Sequence, residues 1–240
     1  MQYQIRYTEK VPAHDGQFDA APWTRADTHQ ITQFFASSEE PFPTTQFRML
    51  YTQTDLHLIF HVHDSCVSSL CTELHDNVCR DSCVEFFVEP MPGAGYFNFE
   101  INAGGTLLLF YILDPSKKKP GDPYALRNKI PQEQVDTFDI YHSMPRVVDP
   151  PITQWTDWVI QLRVPFDFFR GYIPQLPDPA GETWRANLYK CGSPRSHWAC
   201  WAPMDERPPN FHRPEFFAPI HFLPGESQNV VAATGEESAN

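Results

Sequence analysis

Two glutamates in neighbouring predicted strands are the side chains of this sequence that most resemble a catalytic pair. Glu85 lies in the segment CVEFFVE and Glu100 in the segment YFNFEIN. Many glycosidases use two carboxylates, and the separation of the carboxyl groups decides whether the chemistry retains or inverts configuration. That separation cannot be read from a sequence, and carboxylates on a sheet face are more often structural. Glycoside hydrolysis through Glu85 and Glu100 is therefore one hypothesis among several.

A second chemical possibility is metal binding by the segment His61-Val-His63, which is followed by Asp64. Alternate residues of a strand point to the same side, so the two imidazoles could share an ion. No third ligand is identifiable nearby. Histidines on a half-exposed strand face are the more frequent explanation, and the residues predict no metal site and no cofactor.

The six cysteines, at positions 66, 71, 79, 83, 191 and 200, also lack the paired CxxC spacing of a zinc site. A chain of 240 residues does not need disulfides for stability, and Cys83 falls inside a strand pattern. We expect free thiols. Nucleophile-elbow, phosphate-loop and dinucleotide-binding motifs are absent from the sequence.

Residues 80–102 form the centre of the predicted fold, as two alternating strands joined by a turn at 90–95 that holds two prolines and two glycines. Similar alternation occurs at 46–63, 158–164 and 183–191. The side chains expected to face the core are Leu56, Leu58, Phe60, Val62, Val84, Phe86, Val88, Phe97, Phe99, Ile101, Trp158, Ile160, Leu162, Val164, Trp184, Ala186 and Leu188.

Short strands with frequent turn signals, and 24 prolines against 11 glycines, predict an all-β fold. We expect an antiparallel β-sandwich of jelly-roll or immunoglobulin-like type with long loops. Residues 1–224 would form one domain, in which residues 12–26 cover one end of the core. Residues 225–240 are predicted to be a disordered tail.

The charge of −12 excludes partners that are recognised through phosphates, so we expect neither nucleic-acid nor anionic-membrane binding. No apolar run is long enough for a membrane helix, and the first ten residues lack a signal-peptide centre. The chain as it stands is expected to be cytoplasmic, or secreted or periplasmic if a leader was removed. The sequence leaves the oligomeric state open.

The polar side chains opposite the core positions include carboxylates, amides, imidazoles and guanidinium groups, which suit hydrogen bonding to hydroxyl groups. They could equally pair with one another on a solvated sheet. In particular, the strand assignments place Glu85 opposite Arg163 or Arg185, which predicts structural ion pairs.

The succession HDGQFDAAPWTRA, FRMLYTQTDLHLIFHVHD, DSCVEFFVEP, YFNFEIN, WVIQLRVPF and NFHRPEFFAPIHF resembles the family 9 carbohydrate-binding modules and their stand-alone relatives. The resemblance covers nearly all of residues 11–223. It implies a jelly-roll β-sandwich that holds a sugar between aromatic rings, with structural calcium in some members. It does not place calcium ligands in this chain.

Several sugar contacts of the family are replaced in this sequence. The resemblance aligns one sandwiching tryptophan with Cys79 and the other with Phe211. The acidic neighbour of the first tryptophan corresponds to Arg80, the strand arginine to Glu100 and the strand glutamine to Tyr189. The resemblance thus implies the fold more strongly than the ligand.

We therefore expect a non-catalytic protein that recognises a saccharide on a polar sheet face with aromatic platforms. The expected contact residues are Arg80, Glu100, Asn102, Asn187, Tyr189, Trp198, Phe211 and His212. The alternatives are a glycoside hydrolase that uses Glu85 and Glu100, and a structural or interaction sandwich without a sugar ligand.

Overall fold

The computed structural model describes residues 1–116, 125–192, 195–205 and 210–225 of the chain, and these form seventeen strands and two short α-helices. In chain order the strands are β1 Tyr3–Tyr7, β2 His29–Ile31, β3 Gln33–Phe34, β4 Thr44–Tyr51, β5 Asp55–Asp64, β6 Val67–Ser69, β7 Cys83–Glu89, β8 Tyr96–Asn102, β9 Leu107–Leu108, β10 Phe110–Asp114, β11 Leu126–Lys129, β12 Asp139–His142, β13 Val148–Ile152, β14 Thr156–Pro165, β15 Thr183–Cys191, β16 Ala199–Cys200 and β17 Ala218–Leu223. The helices are α1 Gln132–Val135 and α2 Phe166–Tyr172, and 3-10 turns occupy Trp23–Arg25, Val78–Arg80 and Pro214–Phe216. The predicted tail lies outside the described residues, apart from Gly225.

Fifteen of the described strands form one long sheet that curls over itself, with the main order β11-β10-β8-β7-β15-β17-β1-β4-β5-β14-β12, and β6 and β13 form a separate two-stranded sheet. The first half of the long sheet ends at β17 and its second half begins at β1, so the core lies between the halves. The prediction of an all-β sandwich is confirmed. One element departs from the antiparallel expectation, because β1 pairs in parallel with both β17 and β4. Neither described helix has the length and apolar character that a membrane span requires.

The predicted core side chains are confirmed in every strand, since all of them belong to one buried cluster between the two sheet halves. Trp184 of β15 is at its centre. The edges of three aromatic rings meet the Trp184 ring, at centroid distances of 6.0 Å (Phe166), 5.1 Å (Phe169) and 4.8 Å (Phe222). Burying a side chain of this size contributes about 1.5–3 kcal/mol or more.

A buried ion pair joins the two halves at one end of the core. Lys190 of β15 and Asp64 of β5 are 1 % and 0 % exposed, and the ammonium nitrogen lies 3.2 Å from Oδ2 of Asp64. The ammonium also donates to the carbonyl oxygen of Cys191, at 2.8 Å, and Oδ1 of Asp64 accepts the backbone N–H of Cys66. His197 approaches the same carboxylate at 3.6 Å. Two charges are thus held away from water because each has the other as a partner.

Residues 12–26 were expected to cover one end of the core, but they cover the outer face of β4, β5 and β14 instead. Phe18 and Trp23 pack there on Leu50 and Ile59. The amide of Gln161 secures this flap, because it donates to the Ala13 carbonyl and accepts the Gly16 N–H. Gln161 of β14 therefore anchors the flap to the sheet.

His57 lies on this outer face of β5, is 2 % exposed, and has a buried Nε2 with no hydrogen-bond partner among the described residues. Burial, assisted by the charge of Arg163, lowers the pKa of His57 to about 4. The unfolded chain, with an ordinary histidine pKa near 6.5, takes up a proton before the folded protein does. Stability should therefore fall as the pH drops from about 6.5 to about 4 and be unaffected by this group at higher pH.

We expect His57→Gln to remove a pH-dependent loss of up to about 3 kcal/mol, since one unit of pKa corresponds to about 1.4 kcal/mol. Urea unfolding between pH 4 and pH 7.5 measures it. His221→Gln, at a half-buried position on β17, is the control and should leave the pH slope unchanged. The same dependence of the unfolding free energy on pH in wild type and His57→Gln would contradict the low pKa assigned to His57.

Candidate functional site

The outer face of β8, β7 and β15 is not a solvated surface but carries a second apolar layer. Chain segments outside these strands lay Phe35, Cys200, Phe211 and Phe217 over this face. Its fully buried members from the strands themselves include Cys83, Phe87, Tyr96, Tyr189 and Cys191. The polar side chains of the same face are therefore enclosed, and we call this layer the outer cluster.

Glu85 and Glu100 face each other directly in the register of β7 and β8. They are 2 % and 6 % exposed. Oε1 of Glu85 accepts the thiol of Cys191 at 2.9 Å, and Oε1 of Glu100 accepts the amide of Asn98 at 2.8 Å. Burial raises the pKa of Glu100 to about 7 and that of Glu85 well above its ordinary value, where the neighbouring Cys191 and Glu100 charges add to the effect.

The predicted ion pairs of Glu85 are wrong. Arg163 lies on β14, in the other half of the sheet, and pairs with Asp55 and Asp139. Arg185 is next to β7 but pairs with Glu89, whose register position is directly opposite. Each arginine therefore pairs with carboxylates in its own part of the sheet. The hydrogen-bond partner of Glu85 is the Cys191 thiol.

The two predicted amide contacts are committed to the fold. The Asn102 amide donates to Asp81 and to the Cys71 carbonyl, and its oxygen accepts the Thr106 N–H. The Asn187 side chain holds the segment that follows β16, since it donates to the Ala202 carbonyl and accepts the Ala202 N–H. Both are completely buried. These side chains position the site rather than line it.

The predicted aromatic residues do come together. The Phe211 ring stacks on Tyr189, with centroids 4.0 Å apart and planes 11° apart, and the Tyr189 hydroxyl donates to the Phe211 carbonyl. Trp198 stands 5.7 Å from Phe211 in a tilted orientation. His212 lies further along the face, hydrogen-bonded to the Tyr96 hydroxyl. Phe211 is 6 % exposed, whereas Trp198 is half-buried.

The rim of the outer cluster is formed by side chains that water still reaches. The half-buried apolar residues there are Cys71, Cys79, Leu108, Phe110, Trp198 and Met204. Arg80 is exposed at the end of the 3-10 turn that also contains Cys79. A cleft of about 470 Å³ opens beside Leu108 and Phe110, and its other lining residues are His75, Asn77, Arg127 and Lys129.

Two residues of this face, Asn98 and Arg127, were not among the contact residues expected from the sequence. Asn98 lies two residues from Glu100 on the same strand face, so alternation alone could have selected it. Arg127 could not be found in this way, because it lies in a segment without a strand pattern. Its guanidinium group stacks over the Phe110 ring at 4.4 Å from the centroid.

The one cluster of potential metal ligands found among the described side chains does not suit calcium. Among the described residues, the group of three His, Cys, Asp or Glu side chains close enough to share an ion is Cys83, Glu85 and Cys191. Calcium prefers six to eight oxygen ligands, and two of these three donors are sulfur. The donor set therefore does not fit calcium.

The His61–His63 pair meets a third group that the sequence did not reveal. Asp157 of β14 is opposite His63 in the register, and its Oδ1 lies 3.2 Å from His61 and 3.0 Å from His63. Asp64, the neighbour considered in the sequence, points to the opposite side and binds Lys190. A carboxylate thus already bridges the two imidazoles.

Comparison with known families gives the same fold and a family assignment. The model of carbohydrate-binding family 9 matches residues 19–222. The chain belongs to this family. No curated protein matches it significantly. Membership in family 9 supports carbohydrate binding as the general function.

Three solved structures share the fold. A proposed carbohydrate-binding protein of Bacteroides uniformis is 23 % identical, with a TM-score of 0.77 over 92 % of this chain and 98 % of that one. A family 9 module of Caldicellulosiruptor kristjanssonii in complex with cellotriose is 11 % identical, with a TM-score of 0.62 over 94 % and 95 %. The same type of module in complex with glucose has 11 % identity and a TM-score of 0.60 over 94 % and 97 %.

Proposed function

We propose that this family 9 protein binds a saccharide without cleaving it, at the rim of the outer cluster. The observation that carries the proposal is the half-buried indole of Trp198 beside Phe211, on the sheet face that also carries Glu100 and Asn98. A sugar ring has an apolar face for stacking and hydroxyl groups at its edge. An aromatic side chain over a sheet face that also carries a carboxylate and an amide offers groups for both.

Polar groups around the rim extend the same match. Arg80 is exposed beside the half-buried Cys79, and Asn77, Arg127 and Lys129 line the cleft next to Phe110. Guanidinium, ammonium and amide groups donate several hydrogen bonds each and suit hydroxyl-rich ligands. The proposed contact set is therefore Arg80, Glu100, Trp198 and Phe211, with His212 further along the face. Asn102, Asn187 and Tyr189 support it from beneath.

The same geometry disfavours glycoside hydrolysis. A general acid must come within hydrogen-bond reach of the glycosidic oxygen, directly or through one water. Glu85 is 2 % exposed and already accepts the Cys191 thiol, which leaves Glu100 as the carboxylate nearer to the rim. Both carboxyl groups are thus buried and already hydrogen-bonded, which does not suit the two-carboxylate mechanism.

Isothermal titration calorimetry with glucose, cellotriose and a wider panel of oligosaccharides tests this proposal. We expect saturable heat with at least one sugar, and a loss of about tenfold in affinity for Trp198→Ala, equivalent to about 1.4 kcal/mol. Trp155→Ala is the matched control, because Trp155 is 49 % exposed and stacks on His63 in the other half of the sheet. It should bind like wild type.

Two outcomes would contradict the proposal. One is the absence of heat and of any melting-temperature shift across the panel, which would favour a structural or interaction role. The other is an equal effect of Trp198→Ala and Trp155→Ala. A wild-type protein that releases reducing sugar from the oligosaccharides would instead revive the hydrolase hypothesis.

A further inference from the structure

Two thiols and one carboxylate meet beneath the proposed saccharide site. Cys83 of β7 and Cys191 of β15 are opposite each other in the strand register, and Glu85 is two residues along β7 on the same face. The Cys191 sulfur lies 2.9 Å from Oε1 of Glu85. One donor atom from each of the three residues lies within 4.8 Å of the other two.

The three side chains are buried, and in the described part of the chain none of them forms an ion pair with a Lys or Arg on this face. Cys83 and Cys191 are 0 % exposed and Glu85 is 2 % exposed. The adjacent Lys190 points to the opposite face, where it binds Asp64. Glu100, directly across from Glu85, adds a second buried carboxyl group. Buried carboxylates are normally paired or bound to metals, and among the described residues no Lys or Arg pairs with Glu85.

The spacing of the donors suits a tetrahedral ion. Zinc binds sulfur at about 2.3 Å and carboxylate oxygen at about 2.0–2.2 Å, which separates neighbouring donor atoms by roughly 3.5–3.8 Å. The Cys191–Glu85 distance of 2.9 Å and the upper bound of 4.8 Å on all three separations bracket those values. Adjacent hydrogen-bonded strands hold the donors, and the apolar outer cluster around them excludes competing water ligands.

We propose that Cys83, Glu85 and Cys191 form a binding site for a divalent zinc-like cation. Thiolate and carboxylate donors in a small, rigid set favour zinc over the hard cations calcium and magnesium. The half-buried Cys79, which packs on the same outer cluster, could supply a fourth ligand from the rim. Binding releases to solvent the protons that the two thiols and the Glu85 carboxyl group carry, and no oxidation is involved.

The site goes beyond saccharide binding and does not depend on it. It also explains why the cysteine spacing gave no zinc signal. The ligands come from two strands that are neighbours in space but 106 residues apart in sequence. A paired CxxC motif supplies two ligands from one turn, whereas here each strand presents its ligands from the sheet face.

Metal binding by the reduced full-length chain tests the proposal. The protein would be stripped with a chelator, and Co²⁺ or Zn²⁺ added alone. We expect one ion per chain by elemental analysis, a thiolate-to-cobalt charge-transfer band with the intense visible absorption of tetrahedral cobalt, and a higher melting temperature that the chelator reverses. Because these readouts involve no sugar, a failed saccharide titration would not affect them.

Substitutions then locate the ion. Cys83→Ser and Cys191→Ser should each weaken metal binding by at least about tenfold. This loss should exceed the loss caused by removing a residue that only hydrogen-bonds to a metal ligand. Glu85→Gln keeps the side-chain shape and should also weaken binding, which covers the case in which a cysteine variant fails to fold. Cys200→Ser is the matched control. Cys200 is buried in the same outer cluster, but its thiol contacts the Gln33 carbonyl, so this variant should still bind one ion.

Three results would overturn the proposal. Wild type could bind no Co²⁺ or Zn²⁺ at micromolar concentration. Cys191→Ser could bind as tightly as Cys200→Ser. Mass spectrometry of the freshly isolated, unreduced protein could show a Cys83–Cys191 disulfide in place of a bound ion.

Discussion

Lys190→Met is expected to destabilise the protein by about 3–5 kcal/mol, because it leaves the Asp64 carboxylate buried without its ammonium partner. Asp64 is completely buried, and its remaining neighbours are a backbone N–H and the more distant His197. The penalty is the cost of an isolated charge and not the net strength of the pair. Guanidinium unfolding at pH 7 measures the loss.

The double variant Lys190→Met/Asp64→Leu separates the cost of an isolated buried charge from the net strength of the ion pair. Removal of both charges leaves no buried ion, so we expect it to recover most of the stability that either single variant loses. If the double variant is as unstable as the sum of the singles, the coupling energy between Lys190 and Asp64 is zero, and each residue contributes to stability independently of the other. That result would contradict the expectation.

Trp184→Ala is the second change with a large expected effect, a loss of about 3–5 kcal/mol. The indole fills the space between α2 and β17, where the Phe166, Phe169 and Phe222 rings all contact it edge-on. These rings belong to elements fixed by strand pairing and by the helix, so they cannot collapse into the cavity. Thermal and urea unfolding of the variant test the value.

Trp155→Ala is the matched comparison, since it removes the same side chain from a position that is 49 % exposed. An exposed substitution of this kind normally changes stability by less than about 0.5 kcal/mol. A similar loss for both variants would mean that the core does not depend on the filling of space around Trp184.

The core could be predicted from the sequence because strand alternation is a local property. Phe86, Phe99, Trp158 and Trp184 were all assigned to the inner face from their spacing, and all four lie there. The parallel pairing of β1 could not be predicted in this way. It depends on which strand edges meet when the sheet curls, and no local pattern in residues 3–7 encodes that.

The candidate site was less predictable, because its contacts are long-range. Glu85 and Glu100 were assigned to the polar face of one hairpin, but only the strand register shows that they are directly opposite each other. The thiol partner of Glu85 comes from β15, and Arg163 was misplaced because the alternation shows a face of a strand but not which half of the sheet carries it. The sequence also did not reveal that other segments cover the outer face of β8, β7 and β15. The segments that cover it, around Phe35 and Phe211, follow no strand period.

The position of β1 between β17 and β4 has a consequence for how the protein is made. Tyr3 leaves the ribosome long before its pairing partner Ile220, which lies 217 residues later in the chain. β17 is the strand that joins the two halves, because it pairs with both β15 and β1. Until β17 is synthesised, β15 and β1 each have an unpaired edge, and such edges can pair with other chains. Such long-range pairing also slows folding. Nascent chains that stop short of residue 218 should therefore remain open and aggregation-prone, and closure of the sandwich should follow synthesis of the final strand.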